Sequence, residues 1–270
     1  MVGVGRLSAG ERAPPGHLVG RHDRRRGSLS EPLFLGAILA LGAVSGATAA
    51  VVGFGIGSLM TPLLLTRFSA PVAVGIVALP HLIATAVRLG RRHPAVDRGV
   101  LLRFGLPSAI GGVAGGVLQG AFRSDALIAV LGALLILTGI ANLTDGFGRW
   151  QPSVALAAVM GLLSGLFGGL VGNQGGLRAA GLSAFQLEPR AFLATGTAVA
   201  VLIDVARTPF YLWRGGDVLL QLWIPIVVAT IGCLAGTIAG ERLFLRLSQE
   251  TYRRVIGIAV IILGVWLLIA

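Results

Sequence analysis

The second of two glycine-rich segments in this 270-residue chain carries the polar side chains best suited to bind a ligand. Asn173 and Gln174 stand between its glycines, and Arg178 follows two residues after Gly176. Side-chain amides can donate hydrogen bonds to an oxyanion, and a guanidinium can form two parallel bonds with carboxylate or sulfonate oxygens. These residue types indicate a site for a small anion.

The first glycine-rich segment repeats the second in backbone type, 119 positions earlier. Both copies open with a G-x-x-S-G pattern, at Gly42 to Gly46 and at Gly161 to Gly165, and 161 minus 42 is 119. The glycines of the two breaks are Gly53, Gly55 and Gly57 in the first copy and Gly172, Gly175 and Gly176 in the second. A duplicated hydrophobic unit with an interrupted helix in each copy is typical of secondary transporters.

Each break predicts a place where backbone groups are free to meet a ligand. Non-helical backbone in a membrane is tolerated only where protein or a watery cavity satisfies its polar groups. A short helix that starts after the break offers unpaired amides and the positive end of its dipole to an anion. Ser58 and Thr61 are the nearest polar side chains after the first break.

Each of these residues also has a purely structural interpretation. The glycines can serve only to let helices pack closely. Ser58 and Thr61 can bond to their local backbone. Arg178 can extend towards lipid headgroups.

Three ionisable residues inside hydrophobic stretches are candidates for coupling or gating. Asp204 precedes Arg207 by three residues, so the two side chains share one helix face. They form either a structural ion pair or a site where Asp204 takes up a proton and Arg207 contacts substrate. Arg88 matches Arg207 in the repeat, because 207 minus 119 is 88. His81 is either a proton shuttle or a simply hydrogen-bonded histidine.

Composition places these residues in a membrane protein. Only 12% of residues are charged and 55% are hydrophobic, with a mean hydropathy of +0.86, whereas soluble domains carry about 25% charged residues. Hydrophobic runs of spanning length are 33–52, 71–87, 101–119, 126–143, 154–171, 191–213, 218–239 and 255–270. The pieces 56–66 and 177–187 are too short to span alone and predict half-helices.

The predicted fold is therefore an all-α integral membrane protein with about eight transmembrane helices. They form two four-helix repeats, 32–144 and 152–270, each with a glycine-broken half-helix, after a disordered basic tail at 1–31. With four crossings each, the repeats would point the same way; if each half-helix completed a fifth crossing, they would be inverted. A possible A-x-A signal-peptide cleavage site at Ala47 to Ala49 is rejected, because cleavage would remove Ser45 and Gly46.

The net charge of +11 is interpreted as topology rather than nucleic-acid binding. With eight crossings, twelve arginines lie on the face of the termini, among them Arg91, Arg92 and Arg98, and seven, including Arg67 and Arg123, lie on the other. This distribution favours cytoplasmic termini. The single cysteine, Cys233, cannot form an intrachain disulfide or a multi-cysteine metal site. We expect no cofactor and no metal.

The two breaks resemble those of the TauE/SafE sulfite-exporter family, also called toluene-sulfonate uptake permeases. Gly53 to Pro62 looks like that family's glycine break with its following proline. Gly168 to Gly176 keeps the glycines, but Asn173-Gln174 replaces the usual small residues and Gly181 stands where the proline would be. The resemblance implies an eight-helix plasma-membrane transporter for sulfite, sulfonates or sulfoacetate, with a proton or Na⁺ as coupling ion.

Alternating access of an anion between the two breaks is the preferred hypothesis. The alternatives are a permease for another small metabolite or a cation, and a membrane accessory protein without transport. An intramembrane serine protease would need Ser45 or Ser164 activated by His81. Because both repeats have the serine but only the first has the histidine, we expect no enzyme.

Overall fold

The computed structural model describes residues 30–144, 152–243 and 249–269, which are almost entirely helical. The helices are α1 Glu31–Val52, α2 Ile56–Leu65, α3 Ala70–Arg92, α4 Arg98–Ala121, α5 Ser124–Leu143, α6 Val154–Val171, α7 Gly175–Leu182, α8 Pro189–Gln221, α9 Trp223–Leu243 and α10 Gln249–Ile269. The prediction of a disordered tail falls on residues 1–29, outside the described part, and on Ser30 and Glu31, where α1 begins.

Seven of the described helices are long and apolar enough to cross a membrane: α1, α3, α4, α5, α6, α8 and α9. The apolar part of α10, Arg254–Ile269, is shorter, as is the ten-residue helix α2. The chain is thus a multi-pass membrane protein. The predicted gap between the spans 191–213 and 218–239 falls at a kink in α8, where Gly215 has the non-helical φ −129° and ψ 17°. The predicted start of the next span at Val218 is early, since α9 begins at Trp223. In addition, α7 begins at Gly175, two residues before the predicted start at Leu177.

Both breaks use a left-handed glycine to end the preceding helix. α1 ends at Gly53 with φ 87°, and α6 ends at Gly172 with φ 74°. Each of these glycine amides donates to the carbonyl four residues back, on Ala49 and Gly168. A side chain would be strained at such a φ, which explains why these two positions, 119 apart, are both glycine.

The short helices fold back along the helices that precede them. At the end of α2, the Arg67 guanidinium lies 2.7 Å from the Glu31 carboxylate and 3.9 Å above the Phe34 ring, both near the start of α1. At the end of α7, Gly181 and Leu182 pack with Met160 near the start of α6. Each half-helix therefore returns the chain to the end of the bundle from which α1 or α6 came.

Two helix pairs run in parallel across the two halves of the chain. Gly42 faces the backbone of Ala229, and Gly46 faces Thr237 further along, so α1 and α9 point the same way. In the same manner α4 and α6 are parallel, since Gly161 faces Phe104 and Gly169 faces Gly116. Glycines let these backbones approach closely.

Two further pairs are antiparallel. On α3 and α8, Gly75 contacts Leu219 while His81 contacts Asp204. On α5 and α10, Gly132 faces the carbonyl of Gly264, and Gly139 faces that of Gly257. These four pairings join the first half of the chain to the second along the full length of the bundle.

The helix directions in the structure differ from those predicted, and they change which arginines lie at the same end of the bundle. Among described residues, Arg67, Arg123 and Arg214 lie at the end where α1 begins and α10 finishes. More lie at the opposite end, among them Arg91, Arg92, Arg98, Arg103, Arg190, Arg242 and Arg254. The sequence assigned Arg91, Arg92 and Arg98 to the face of the termini and Arg67 and Arg123 to the other face. These assignments are wrong, because the return of α2 reverses the direction of α3. The arginine excess that favoured cytoplasmic termini is therefore lost among the described residues.

Gly165→Ala should destabilise the protein, because the added Cβ would overlap the Ser108 carbonyl and force α4 from α6. Overpacking of this kind costs about 1 to 3 kcal/mol. We expect a lower melting temperature in detergent for this variant. The matched control is Gly36→Ala, where nothing lies within 4 Å of the new Cβ, and its melting temperature should stay equal or rise. An unchanged melting temperature for Gly165→Ala would contradict the close α4–α6 contact.

Candidate functional site

The two glycine breaks meet inside the bundle. Gly57 packs directly against the Gly172 carbonyl, and Phe54 packs on Gly175, so that a side chain at either glycine would overlap its neighbour. Ser58 Oγ donates to Asn173 Oδ1 across the contact, at 3.4 Å. The predicted residues of the two repeats therefore lie at one place in the structure.

Arg178 links the second break to the first. Its side chain is buried, and its Nη2 donates to the Gly53 carbonyl at 2.7 Å. Its Nη1 is also buried, and no described residue accepts a hydrogen bond from it. The guanidinium thus does not extend to headgroups. It keeps one donor available inside the protein.

Other buried polar atoms around the breaks also lack a hydrogen-bond partner among the described residues. Asn173 Nδ2, Thr61 Oγ1 and Gln174 Oε1 are buried and have no hydrogen-bond partner within the described segments. A buried donor or acceptor without a partner costs about 1 to 3 kcal/mol, so such groups are rare and call for an explanation. Thr61 does not bond to its local backbone, and Ser58 bonds to Asn173 instead of to its own helix.

A small cavity adjoins Arg178. It has a volume of about 20 Å³ and is lined by Val52, Gly53, Phe54, Gly175, Arg178, Ala179, Leu182, Phe192, Leu193 and Gly196. That is room for about one water molecule. A sulfonate or carboxylate would fit only after the two breaks move apart.

The carbonyls that end α6 are bound by side chains from neighbouring helices. Arg207 Nη1 donates to Gly168 O, and Tyr211 Oη donates to Gly169 O. Gln119 Nε2, on α4, donates to Leu170 O at 2.9 Å. The last turn of α6 is therefore held by a cation and two neutral donors.

The end of α1 is held in a corresponding way. Arg92 Nη2 donates to the Ala50 carbonyl at 3.2 Å. This bond matches that of Tyr211 to Gly169, because 169 minus 50 and 211 minus 92 both equal 119. Sequence reasoning missed Arg92, Tyr211 and Gln119 as backbone-binding residues. Arg92 and Tyr211 are separated by 119 positions, the spacing of the two glycine breaks. This spacing could have predicted that both residues bind the carbonyls at the end of a broken helix.

Asp204 is the centre of a buried charged cluster. Arg207 donates to Asp204 Oδ1 from Nε at 3.0 Å and from Nη2 at 2.8 Å, so the two residues form an ion pair on one helix face. His81 Nδ1 lies 2.5 Å from the other oxygen, Oδ2, which Thr85 Oγ1 approaches to 3.4 Å. His81 is therefore hydrogen-bonded, and its partner is a carboxylate on another helix.

Gln174 connects this cluster to the break. Its Nε2 lies 3.5 Å from Asp204 Oδ1, while its backbone carbonyl accepts a hydrogen bond from Ser164 Oγ at 2.9 Å. Ser45 Oγ donates to Gly42 O. Because His81 faces Asp204 and both serines bond to backbone, neither serine is placed with His81 as a nucleophile would be.

Membrane-crossing helices that break at a buried polar centre define this chain as a multi-pass membrane protein. The family model described as Sulfite exporter TauE/SafE matches residues 38–267, nearly the whole chain, and the protein belongs to that family. Members of the family are transporters rather than enzymes. No curated protein and no solved structure matches the chain.

Arg207→Met should destabilise the protein strongly, because it leaves the Gly168 carbonyl and one Asp204 oxygen without their cation. Removing one partner of a buried ion pair costs about 3 to 5 kcal/mol. Arg254→Met is the control: its pair with Glu250 is exposed, and exposed pairs contribute about 0 to 1 kcal/mol. Thermal unfolding in detergent measures both. Equal melting temperatures for the two variants would show that the buried pair does not stabilise the fold.

Proposed function

We propose that this protein is a secondary transporter that moves small sulfur-containing anions, such as sulfite, sulfonates and sulfoacetate, across the plasma membrane by alternating access. One observation carries the proposal. Arg178 Nη1, Asn173 Nδ2 and Thr61 Oγ1 are buried polar atoms without a hydrogen-bond partner among described residues, all at the meeting of the two breaks. Anion oxygens would accept hydrogen bonds from all three.

The charges around the breaks favour an anion over a cation. Arg178 and Arg207 are buried there with Asp204 as the acid of the cluster, so the described side chains leave a positive excess. The backbone carbonyls that would coordinate a cation accept hydrogen bonds from side chains instead, at Gly168, Gly169, Leu170, Ala50 and Gly53. These bonds weigh against the alternative of a cation permease.

The short helices add a second source of attraction. The first amides of a helix have no partner within it, and they carry the positive end of the helix dipole. α2 and α7 both start at the meeting of the breaks. The sulfur content of the substrate rests on the family alone, because an oxyanion of carbon would satisfy the same donors.

Helix pairing supports two inverted repeats, α1 to α5 and α6 to α10. Gly236 of α9 packs on Ala43 of α1, and Gly111 of α4 packs on Leu162 of α6. Ala43 and Leu162 differ by 119 positions, and Gly111 and Gly236 by 125. The fourth helix of each half thus lies on the first helix of the other half in the same way. With five helices in each half, the two copies point in opposite directions.

The last helix of each half obeys the same relation. Gly132 meets Gly264 and Gly139 meets Gly257, while 257 minus 132 and 264 minus 139 both equal 125. Reciprocal contacts of this kind are what a two-fold axis produces.

Inverted repeats provide the alternating access. When the two halves exchange conformations, the central site opens to the other side of the membrane. The contacts that must separate are the Arg178 bond to Gly53 and the packing of Phe54 on Gly175. We further propose the plasma membrane as the location. Cytoplasmic termini stay a prediction, which the six arginines of the tail favour and the arginines at the opposite end of the bundle oppose.

Arg178→Gln should reduce anion flux into proteoliposomes by about tenfold or more, because a hydrogen bond to a charged group contributes about 1.5 to 3 kcal/mol. Radiolabelled sulfite or a sulfonate measures the flux. Arg190→Gln changes an exposed arginine and should transport as well as the unmodified protein. If Arg178→Gln folds and transports at the control rate, Arg178 does not bind the anion.

A thermal-shift screen tests the substrate class directly. A ligand that binds only the folded state stabilises it by about 2.7 kcal/mol at a hundred times its dissociation constant. We expect sulfite, sulfonates or carboxylates to raise the melting temperature, and neutral analogues and simple cations to leave it unchanged. Stabilisation by cations or neutral analogues alone would refute the anion assignment.

A further inference from the structure

We propose that His81 and Asp204 together bind one proton that moves through the transporter in the same direction as the anion. This inference rests on the proposed anion transport and adds the coupling ion to it. The proton enters from water on one side, is held between His81 Nδ1 and Asp204 Oδ2, and leaves to water on the other side. No bond in the anion is made or broken.

The two oxygens of Asp204 have separate partners. Oδ1 accepts from Arg207, which also holds the Gly168 carbonyl, so this half of the carboxylate belongs to a fixed structural bond. Oδ2 faces His81 Nδ1 at 2.5 Å. Arg207 alone suffices to neutralise Asp204. The imidazole is therefore an additional titratable group. The proton that a neutral imidazole gains would be shared with the carboxylate.

The pair also lies where the two halves meet. His81 is on α3 and Asp204 is on α8, the helices that run antiparallel across the bundle. A proline stands inside each of these helices near the pair, Pro80 beside His81 and Pro209 two residues after Arg207. Proline removes a backbone hydrogen bond and permits a kink. A movement of α3 against α8 would thus alter the His81–Asp204 contact directly.

Among described residues, the other charged and titratable groups that interact with the pair come from two helices. α7 contributes Arg178, and α8 contributes Arg207 and Tyr211. Arg88 is buried further along α3, seven residues after His81. Gln174 bridges the pair to the break, through its 3.5 Å approach to Asp204 Oδ1. Arg178 lies close enough to interact electrostatically with both His81 and Asp204.

Charge then fixes the direction of coupling. With His81 neutral, Asp204 balances Arg207, and a proton on the pair adds one positive charge beside the anion site. An anion held by Arg178 and Asn173 would favour that proton, and the proton would favour the anion, by the same factor. The two are bound together, so they cross together.

The test uses the purified full-length protein and sulfite or a sulfonate as the probe. In weakly buffered detergent solution with a pH dye, the unmodified protein should take up one proton for each anion bound. In proteoliposomes, an inward proton gradient should drive anion accumulation. Anion affinity should improve by up to about tenfold for each unit fall in pH in the titration range, the limit for one linked proton.

His81→Gln and Asp204→Asn should abolish proton uptake and the pH dependence while anion exchange down its own gradient continues. The matched controls are His93→Gln and Asp125→Asn, which change an exposed histidine and an exposed carboxylate. They should behave like the unmodified protein. If Asp204→Asn does not fold, His81→Gln and the direct proton count decide the question.

The outcomes separate the two proposals. Anion flux without proton uptake, or with proton release, overturns the proton site and leaves anion transport intact. Unchanged coupling in His81→Gln overturns the assignment of the pair. Neither binding nor flux of any oxyanion overturns both proposals.

Discussion

The structure depends on how the peptide groups freed at two glycine breaks are satisfied inside an apolar bundle. A helix that stops within a membrane exposes carbonyls that lipid cannot bind. Arg207, Tyr211 and Gln119 bind those of α6, and Arg92 and Arg178 bind those of α1. Because α3, α4, α7 and α8 supply these donors, the need to cover the breaks fixes the arrangement of four of the ten described helices. The remaining polar atoms, left over after this need is met, form the candidate site.

The two halves share a backbone but divide the chemistry. Gly53 and Gly172 end their helices with the same left-handed turn, yet Arg178 has Leu59 as its counterpart and Asp204 has Thr85. Thr85 and Asp204 nevertheless lie within 3.4 Å of each other, since matched positions of α3 and α8 meet where those helices cross. The backbone of the candidate site thus comes from both halves, while its buried charges come mainly from the second.

Sequence predicted most of the elements and the residues of the breaks, because glycine spacing and hydrophobic length act locally. It predicted the Asp204–Arg207 pair for the same reason, as three residues on a helix share a face. It did not predict that His81 reaches Asp204, which depends on α3 lying against α8 from 123 positions away. It also placed Arg91 and Arg92 on the wrong face, because hydropathy cannot tell whether a ten-residue helix turns back. Such errors arise where contacts between distant parts of the chain determine the partner of a residue or the end of the bundle at which it lies.

The pairing of α1 with α9 has a consequence for how the protein is made. The glycine face of α1, at Gly42 and Gly46, is covered by residues near Cys233 and Thr237, about 190 positions later in the chain. During synthesis α1 enters the bilayer long before α9 exists, so its closely packing face first meets lipid or an insertion factor. The first half of the chain has no finished fold of its own, and the end of α6 likewise needs Arg207 and Tyr211 from α8. Assembly of this membrane protein therefore cannot be completed before α9 has been synthesised.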